Sequence, residues 1–264
     1  MITLLCIPAA VFGLVSPAAA QTLATLVAQA PEGEVRVAFT AREGVSGNGR
    51  NVIQWGCHNG HCSQQSDGDW SDDVDWHTPC DSGPVRLTLW VRGGRVASLH
   101  VYVGGQWIAR TGVTDLGRVP ASEAGRYLLS LARSGGGQVG ERAVFAATLA
   151  DSVTAWPELL RLARDETVPQ QTRRSSVFWV SQAAEEAATR GLDSLVDEDT
   201  VDRDVREQAV FALSQRPQEE GVPALIRIAK THRDPDIRRK AIFWLGQSHD
   251  PRALALFEDL LTKP

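Results

Sequence analysis

Val177-Phe178-Trp179-Val180-Ser181-Gln182 returns as Val210-Phe211-Ala212-Leu213-Ser214-Gln215 and again as Ile242-Phe243-Trp244-Leu245-Gly246-Gln247, at intervals of 33 and 32 residues. An amphipathic unit repeated at this length marks a stack of helix pairs, because a single pair cannot bury its apolar face and does so against its neighbours. A further copy is read at Val144-Phe145, 33 residues before Val177-Phe178, which makes four units. Each has a first helix ending near Leu149, Gln182, Gln215 or Gln247. A second helix follows, over Trp156–Arg164, about Glu186–Val196, Gly221–Lys230 and Pro251–Leu261. Between units stand Val168-Pro169, Asp202-Arg203-Asp204 and Asp234-Pro235-Asp236, which put proline or an acid where a helix N-terminus favours them. Phe145, Phe178, Phe211 and Phe243 are expected inside the first helices, and Trp156, Trp179 and Trp244, at helical spacing, in the core.

Upstream of the repeats the period changes. Pro120-Ala121-Ser122-Glu123 opens a helix to about Arg133, and Ser134-Gly135-Gly136-Gly137 reads as a break. From Glu34 to about Arg110 the alternation is that of strands. Val35, Val37 and Phe39 face one way, and Arg36, Ala38 and Thr40 the other, as in a half-buried strand. Pro84–Arg92 and Arg95–Val103 meet through Gly93-Gly94, a two-residue hairpin signal. Gly44–Asp81 is polar and reads as a long irregular insertion or as short strands joined by loops, and residues 21–34 are expected to be a mobile start. The fold class is therefore α+β: a small antiparallel β region over 34–110, then an α-solenoid of about four helical repeats over 120–264.

The units over 204–209 and 234–241 carry a more specific pattern. Asp204-Val205-Arg206-Glu207-Gln208-Ala209 and Asp234-Pro235-Asp236-Ile237-Arg238-Arg239-Lys240-Ala241 resemble the D-x-x-V-R-x-x-A core of HEAT repeats. The nearest resemblance is to the bacterial subgroup named after phycobilisome lyases, over about residues 141–264. It implies that Asp204, Arg206, Asp236 and Arg238 tie neighbouring units together; Thr172-Arg173 keeps the Arg without the Asp. The resemblance is specific for the fold and says little of function; a surface for docking proteins is what the curvature of stacked repeats itself provides.

The first charged side chain is Glu32. Before it, Ile2–Val15 has the length of a leader's apolar segment, and Ala18-Ala19-Ala20 before Gln21 fits a small-residue cleavage site. Residues 1–20 are expected to be a signal peptide, which places the protein in the periplasm or outside the cell, with no membrane span in the mature chain. Net charge is −5, with no basic excess for nucleic acid.

Cys57-His58-Asn59-Gly60-His61-Cys62, with His77 and Cys80 beyond, is the densest set of reactive side chains. In an oxidising compartment the mature cysteines read as a disulfide, Cys62–Cys80 or Cys57–Cys80, with one thiol left over. Zinc held by Cys57, Cys62, His77 and Cys80 is the competing reading. Asp67–Asp75 is acidic, but it lacks the central glycine and closing glutamate of a calcium loop. No nucleophile or metalloprotease motif is visible, and no phosphate-cradling loop with lysine, so a non-catalytic protein without cofactor is expected.

The expected function is protein–protein interaction or scaffolding in the bacterial cell envelope, with an unidentified protein partner. Candidate contacts on the second helices are Arg161, Arg164, Arg227 and Lys230; in the β insertion they are Trp70 and Trp76. The alternatives are a lyase-like protein that handles a chromophore, and a metal- or glycan-binding module in the β region.

Overall fold

The computed structural model describes residues 21–47, 53–58, 61–63, 74–75 and 83–262, with side chains in the first and last of these ranges. The expected signal peptide over 1–20 and most of the Gly44–Asp81 insertion lie outside the described residues.

Within residues 21–34, where a mobile start was expected, the structure describes a helix. In α1 (Leu23–Gln29), the Thr22 hydroxyl accepts from the Thr25 amide as an N-cap, and Leu23 and Val27, one turn apart, are buried. The Leu23 amide donates to the Glu123 carboxylate at 2.7 Å, which anchors this short helix to residues one hundred positions away.

A four-stranded sheet follows, in the order β7-β6-β1-β9. β1 (Gly33–Phe39) runs antiparallel to β6 (Val85–Arg92), with Val35 opposite Leu89 and Val37 opposite Leu87. β6 pairs with β7 (Arg95–Val103) through Gly93-Gly94. Both glycines have positive φ, 56° and 69°, which the favoured two-residue hairpin turn requires. β9 (Thr114–Arg118) lies parallel to β1, so the sheet is mixed where an antiparallel one was expected. The chain leaves β7, passes through β8 (Gln106–Trp107) and returns on the far side of β1. Short strands β2 (Val45–Gly47), β3 (Ile53–His58) and β4 (His61–Ser63) form a second sheet, and β5 (Val74–Asp75) pairs with β8.

Placing β1 in the middle of the sheet alters its outward face. Arg36 is buried, where alternation had it in solvent. Its Nε donates to Glu34 at 2.6 Å and its Nη1 to the Ile108 carbonyl at 2.7 Å, and its guanidinium lies 4.7 Å from the centre of the Trp107 ring. A cation over an indole face gains electrostatic energy from the ring quadrupole.

Nine helices are described after the sheet: α2 (Ala121–Ser134), α3 (Gly137–Thr148), α4 (Trp156–Arg164), α5 (Gln170–Ser181), α6 (Glu186–Asp197), α7 (Arg203–Ser214), α8 (Gln218–Thr231), α9 (Pro235–Gln247) and α10 (Pro251–Thr262). They make two rows. The first helices α3, α5, α7 and α9 stack on one another, and the second helices α4, α6, α8 and α10 form the other row. α2 joins the second row, packing on α3 as α4 packs on α5, so half a unit precedes the four expected. The glycines read as a break instead end α2 at Gly135 and begin α3 at Gly137. α8 starts a turn earlier than its sequence suggested, and at Gly221 a Cβ would stand 2.2 Å from the Leu213 carbonyl oxygen, so a side chain there would hold the two helices apart.

Sheet and stack share one core. α3 packs on β7, and Arg142 Nη1 donates to the Leu99 carbonyl at 2.8 Å. The Arg42 amide donates to Leu149 O and the Asp151 amide to Thr40 O, which pins the end of α3 to the strand segment after β1. One contiguous set of buried apolar side chains runs from Leu23 through the sheet to Leu256 in α10.

Candidate functional site

The repeated line divides once its side chains are placed. Val144, Val177 and Val210 are fully buried. The phenylalanines beside them are not interior as expected: Phe145, Phe178 and Phe211 are half-buried and Phe243 is exposed. Adjacent positions on a helix are about 100° apart, so the valine can point inward while the phenylalanine lies at the rim of the row. There the aromatics pair. Phe145 meets Trp179 of the next unit at 5.0 Å between ring centres, and Phe211 meets Trp244 at 4.9 Å. Trp179 and Trp244 are thus half-buried joints between units, and Trp156 is also half-buried. The Ser before Gln182 and the Ser before Gln215 end their helices: Ser181 Oγ donates to the Phe178 carbonyl and Ser214 Oγ to that of Phe211, at 2.6 and 2.7 Å. Thr148 does the same for Phe145.

The Asp and Arg of the repeat pattern join neighbouring units. Asp204 accepts from Gln170 Nε2 at 2.8 Å, and Asp236 pairs with Arg203. Arg238 Nη1 donates to the carbonyls of His232 and Arg233, capping the end of α8, while Arg206 reaches Asp199 at 3.9 Å. His232, which stood alone at a turn in the sequence, is buried. Its Nδ1 accepts from the Asp234 amide at 3.1 Å, which leaves Nε2–H for the Val196 carbonyl at 3.2 Å.

Arg216 was not foreseen. Its buried guanidinium uses every N–H: Nε to Thr189 Oγ1 at 2.7 Å, Nη1 to the carbonyls of Ser181 and Ala183, and Nη2 to the Glu185 carbonyl and to Glu220. It gathers the turn between α5 and α6 onto α7 and α8. The Thr189 hydroxyl and Arg216 hold the Glu220 carboxyl below its usual range. The signal in sequence was an arginine in the place that Ala183 takes one unit earlier.

The second-helix candidates fall on one stripe. Arg164 makes a forked pair with Glu198 across α4 and α6, at 2.7 to 3.0 Å, and the Glu198 carboxyl is held below its ordinary range chiefly by that hydrogen bond. Arg227 reaches Asp193 at 2.6 Å and Asp197 at 2.9 Å, linking α8 to α6. Arg133 continues the pattern from α2 to Glu158 and Asp165 on α4. Arg161 is exposed and pairs within its own helix with Glu158, and Lys230 is exposed with no ion pair among the described residues. Two of the four candidates therefore tie units together, and two remain directed to solvent.

Cys57 and Cys62 lie on β3 and β4, but their side chains, and His77, Cys80, Trp70 and Trp76, fall outside the described residues, as does the acidic run before Val74. Trp107 is half-buried beneath Arg36 and Arg86. Trp90, in the outward phase of β6, is the exposed aromatic of the sheet; it lines a groove of about 370 Å3 with Glu34, Arg92 and Arg110. A second groove, about 410 Å3, lies between α7 and α9 and is lined by Glu207, Lys240, Phe243 and Trp244 among others. Among the described residues no three His, Cys, Asp or Glu side chains converge as a metal site would need, and no helix is long and apolar enough to cross a membrane.

The paired helices, the joints between units and the Asp/Arg ties agree with a comparison of sequences. Residues 192–264 match the family of HEAT repeats. The match begins within α6 and runs through the last helix, and the same two-row packing extends back to α2. HEAT repeats generally mediate protein–protein interaction or scaffolding. No curated protein matches the chain.

Proposed function

We propose that this chain is an exported, non-catalytic scaffold of the bacterial cell envelope, which docks a protein on the row of second helices. The observation that carries the reading is the ladder of ion pairs from Arg133 through Arg164 to Arg227. It locks successive second helices in register and leaves Arg161, paired only within its own helix, and Lys230 exposed to a partner. A surface held rigid before binding loses little conformational freedom when a partner docks, which favours affinity. Carboxylates committed to ties between units, as Glu198 and Asp193 are, serve structure and not proton transfer. Export is supported by the leader-like residues 1–20, with their small-residue cleavage site.

Cross-linking in cells followed by mass spectrometry tests the docking face. Arg161→Glu with Lys230→Glu removes the two of the four candidate cations that do not join units, and should abolish capture of the partner. Undiminished capture by that variant would place the interaction elsewhere. Export is tested separately: the mature protein should begin at Gln21, and a cytoplasmic protein that keeps Met1 defeats that part of the reading.

A further inference from the structure

The outer face of β6 carries a large aromatic that the fold itself does not use. Along the strand Leu87, Leu89 and Val91 point into the core, and Trp90, in the opposite phase, is 46 % exposed. Among the described residues its ring meets no other ring and no cation, and its indole N–H has no hydrogen-bond partner. Trp107 shows the contrast. It is half-buried, lies against Arg36 and Arg86, and meets Tyr102 edge-on at 6.3 Å between ring centres. Directly across the sheet from Trp90 stand Glu34 on β1 and Ser98 on β7.

Trp90 and Glu34 line the same groove of about 370 Å3. The Glu34 side chain is 11 % exposed; its Oε1 accepts from Arg36 Nε at 2.6 Å, and its Oε2 lies 4.0 Å from Arg110 Nη1. That gap is too long for a hydrogen bond. It is a length that one hydroxyl spans by donating to the carboxylate and accepting from the guanidinium. A carboxylate or phosphate placed there would meet Glu34, and an ammonium would meet Arg110. The lining as a whole holds two carboxylates, Glu32 and Glu34, and two guanidiniums, Arg92 and Arg110, so it favours neither sign of charge. Gly112, also in the lining, has φ 79° and nothing within 4 Å of where a Cβ would stand, so the groove stays open beside its backbone.

We propose that this groove binds a neutral saccharide, with a sugar ring stacked on Trp90 and a ring hydroxyl bridging Glu34 and Arg110. A pyranose with equatorial substituents presents a flat face of C–H bonds, whose partial positive charge suits the negative face of an indole. Around its edge stand hydroxyls that donate and accept at once, as the gap between Glu34 and Arg110 requires. The volume lies at the small end of the ~300–1,000 Å3 usual for small-ligand sites, which suits a mono- or disaccharide unit. Glu34 is held by Arg36, itself buried and stacked on Trp107, so the acceptor is in place before a ligand arrives. The site uses none of the residues of the second-helix row.

The indole N–H resonances of the isotope-labelled full chain test this, with cellotetraose and triacetylchitotriose as neutral probes. The resonance that disappears in Trp90→Phe should shift with at least one of them, with half-saturation at ~1 mM or below. Trp90→Ala should weaken binding ~10-fold or more, read from the probe's own signals, while Trp90→Tyr, which keeps a ring to stack on, should retain most of it. The side chain is half in solvent, so the unfolding midpoint of Trp90→Ala should stay in place. Arg110→Ala should weaken binding ~10-fold by removing one side of the hydroxyl bridge. Trigalacturonate, an acidic probe, should not bind. No shift with either neutral probe overturns the proposal, as does binding undiminished in Trp90→Ala. Trigalacturonate bound as tightly as the neutral probes overturns it in favour of an anion site, and decaproline bound in place of both saccharides overturns it in favour of a peptide groove. Arg161→Glu with Lys230→Glu should leave the saccharide shifts unchanged, so this proposal and the docking of a protein can fail separately.

Discussion

The row of first helices meets a β-sheet at one end and, among the described residues, no further helix at the other. At the closed end, α3 packs on β7, Arg142 reaches the Leu99 carbonyl, and the segment around Ala41 pairs with that around Ala150. At the open end, Phe243, Leu254 and Leu261 stand uncovered, although the same repeat positions are covered further in. The repeats themselves are alike, so the contrast comes from what adjoins them. A sheet built from unrelated sequence serves as the missing helix for α3, and no described residue does so for α10. In a stack of this kind each unit depends on its nearest neighbours, so stability should be unequally spread, with the last unit the first to fray.

The largest disturbance should come from inside the stack. Arg216→Ala leaves Glu220 and the carbonyls of Ser181, Ala183 and Glu185 without their buried partner. A loss of about 3–5 kcal/mol is expected in denaturant unfolding. A loss below about 1 kcal/mol would mean that the units on either side of α7 do not depend on this tie.

At the closed end, Leu99→Ala opens a cavity where β7 meets the helices and should cost about 2–5 kcal/mol. The sharper readout is which signal moves. With one shared core, helical ellipticity and the near-ultraviolet signal should melt together, and both earlier than in the wild type. A helical transition that stays in place would make sheet and stack separate folding units and remove the contrast between the ends.

A smaller effect concerns pH. The Glu198 carboxyl lies below its ordinary value near 4.5 because Arg164 bonds its charged form. Its contribution is complete above that value and disappears as pH falls through the lower folded-state pKa. For a partly exposed pair this amounts to about 0.5–1 kcal/mol. Arg164→Gln should flatten the stability profile in that acidic range, and an unchanged profile would show that α4 and α6 hold together without the pair.

The smallest effect belongs to the open end. Leu261→Asp in the dilute single chain should alter stability by no more than about 0.5 kcal/mol, since the side chain it replaces is 87 % exposed. A larger loss would mean that the end face is covered within the chain itself.

Legibility followed the range of the interactions. The boundaries of α4, α6 and α10 were read to within a residue, because helical period and turn chemistry are local. The Gly93-Gly94 hairpin was equally plain, since two positive φ angles leave little choice of residue. β9 was missed: Thr114–Arg118 holds a single large apolar residue and a glycine, and becomes a strand by pairing with β1 some eighty residues earlier. α1 was missed because it is short, and its stability comes from Glu123 and the buried Leu23, not from its own propensity. Arg36 was assigned to solvent because alternation names two faces without saying that Trp107 and Ile108 cover the second. Among the binding candidates the stripe was legible, but the division into ties and exposed cations was not. Arg164 and Arg161 look alike until Glu198, 34 residues on from Arg164, is placed beside one of them.

Taken by itself, the sequence determined that helix pairs repeat, where each begins and ends, and which positions must be apolar. These follow from the pitch of a helix and the chemistry of its ends, which act over a few residues. Only the tertiary structure decided that a sheet closes one end of the stack, that the phenylalanines are joints at the rim, and that Arg216 binds two units together. It alone also left the apolar positions of the last unit uncovered. Those outcomes depend on which surfaces meet, and residues far apart in the chain meet only after the shape of the whole is fixed.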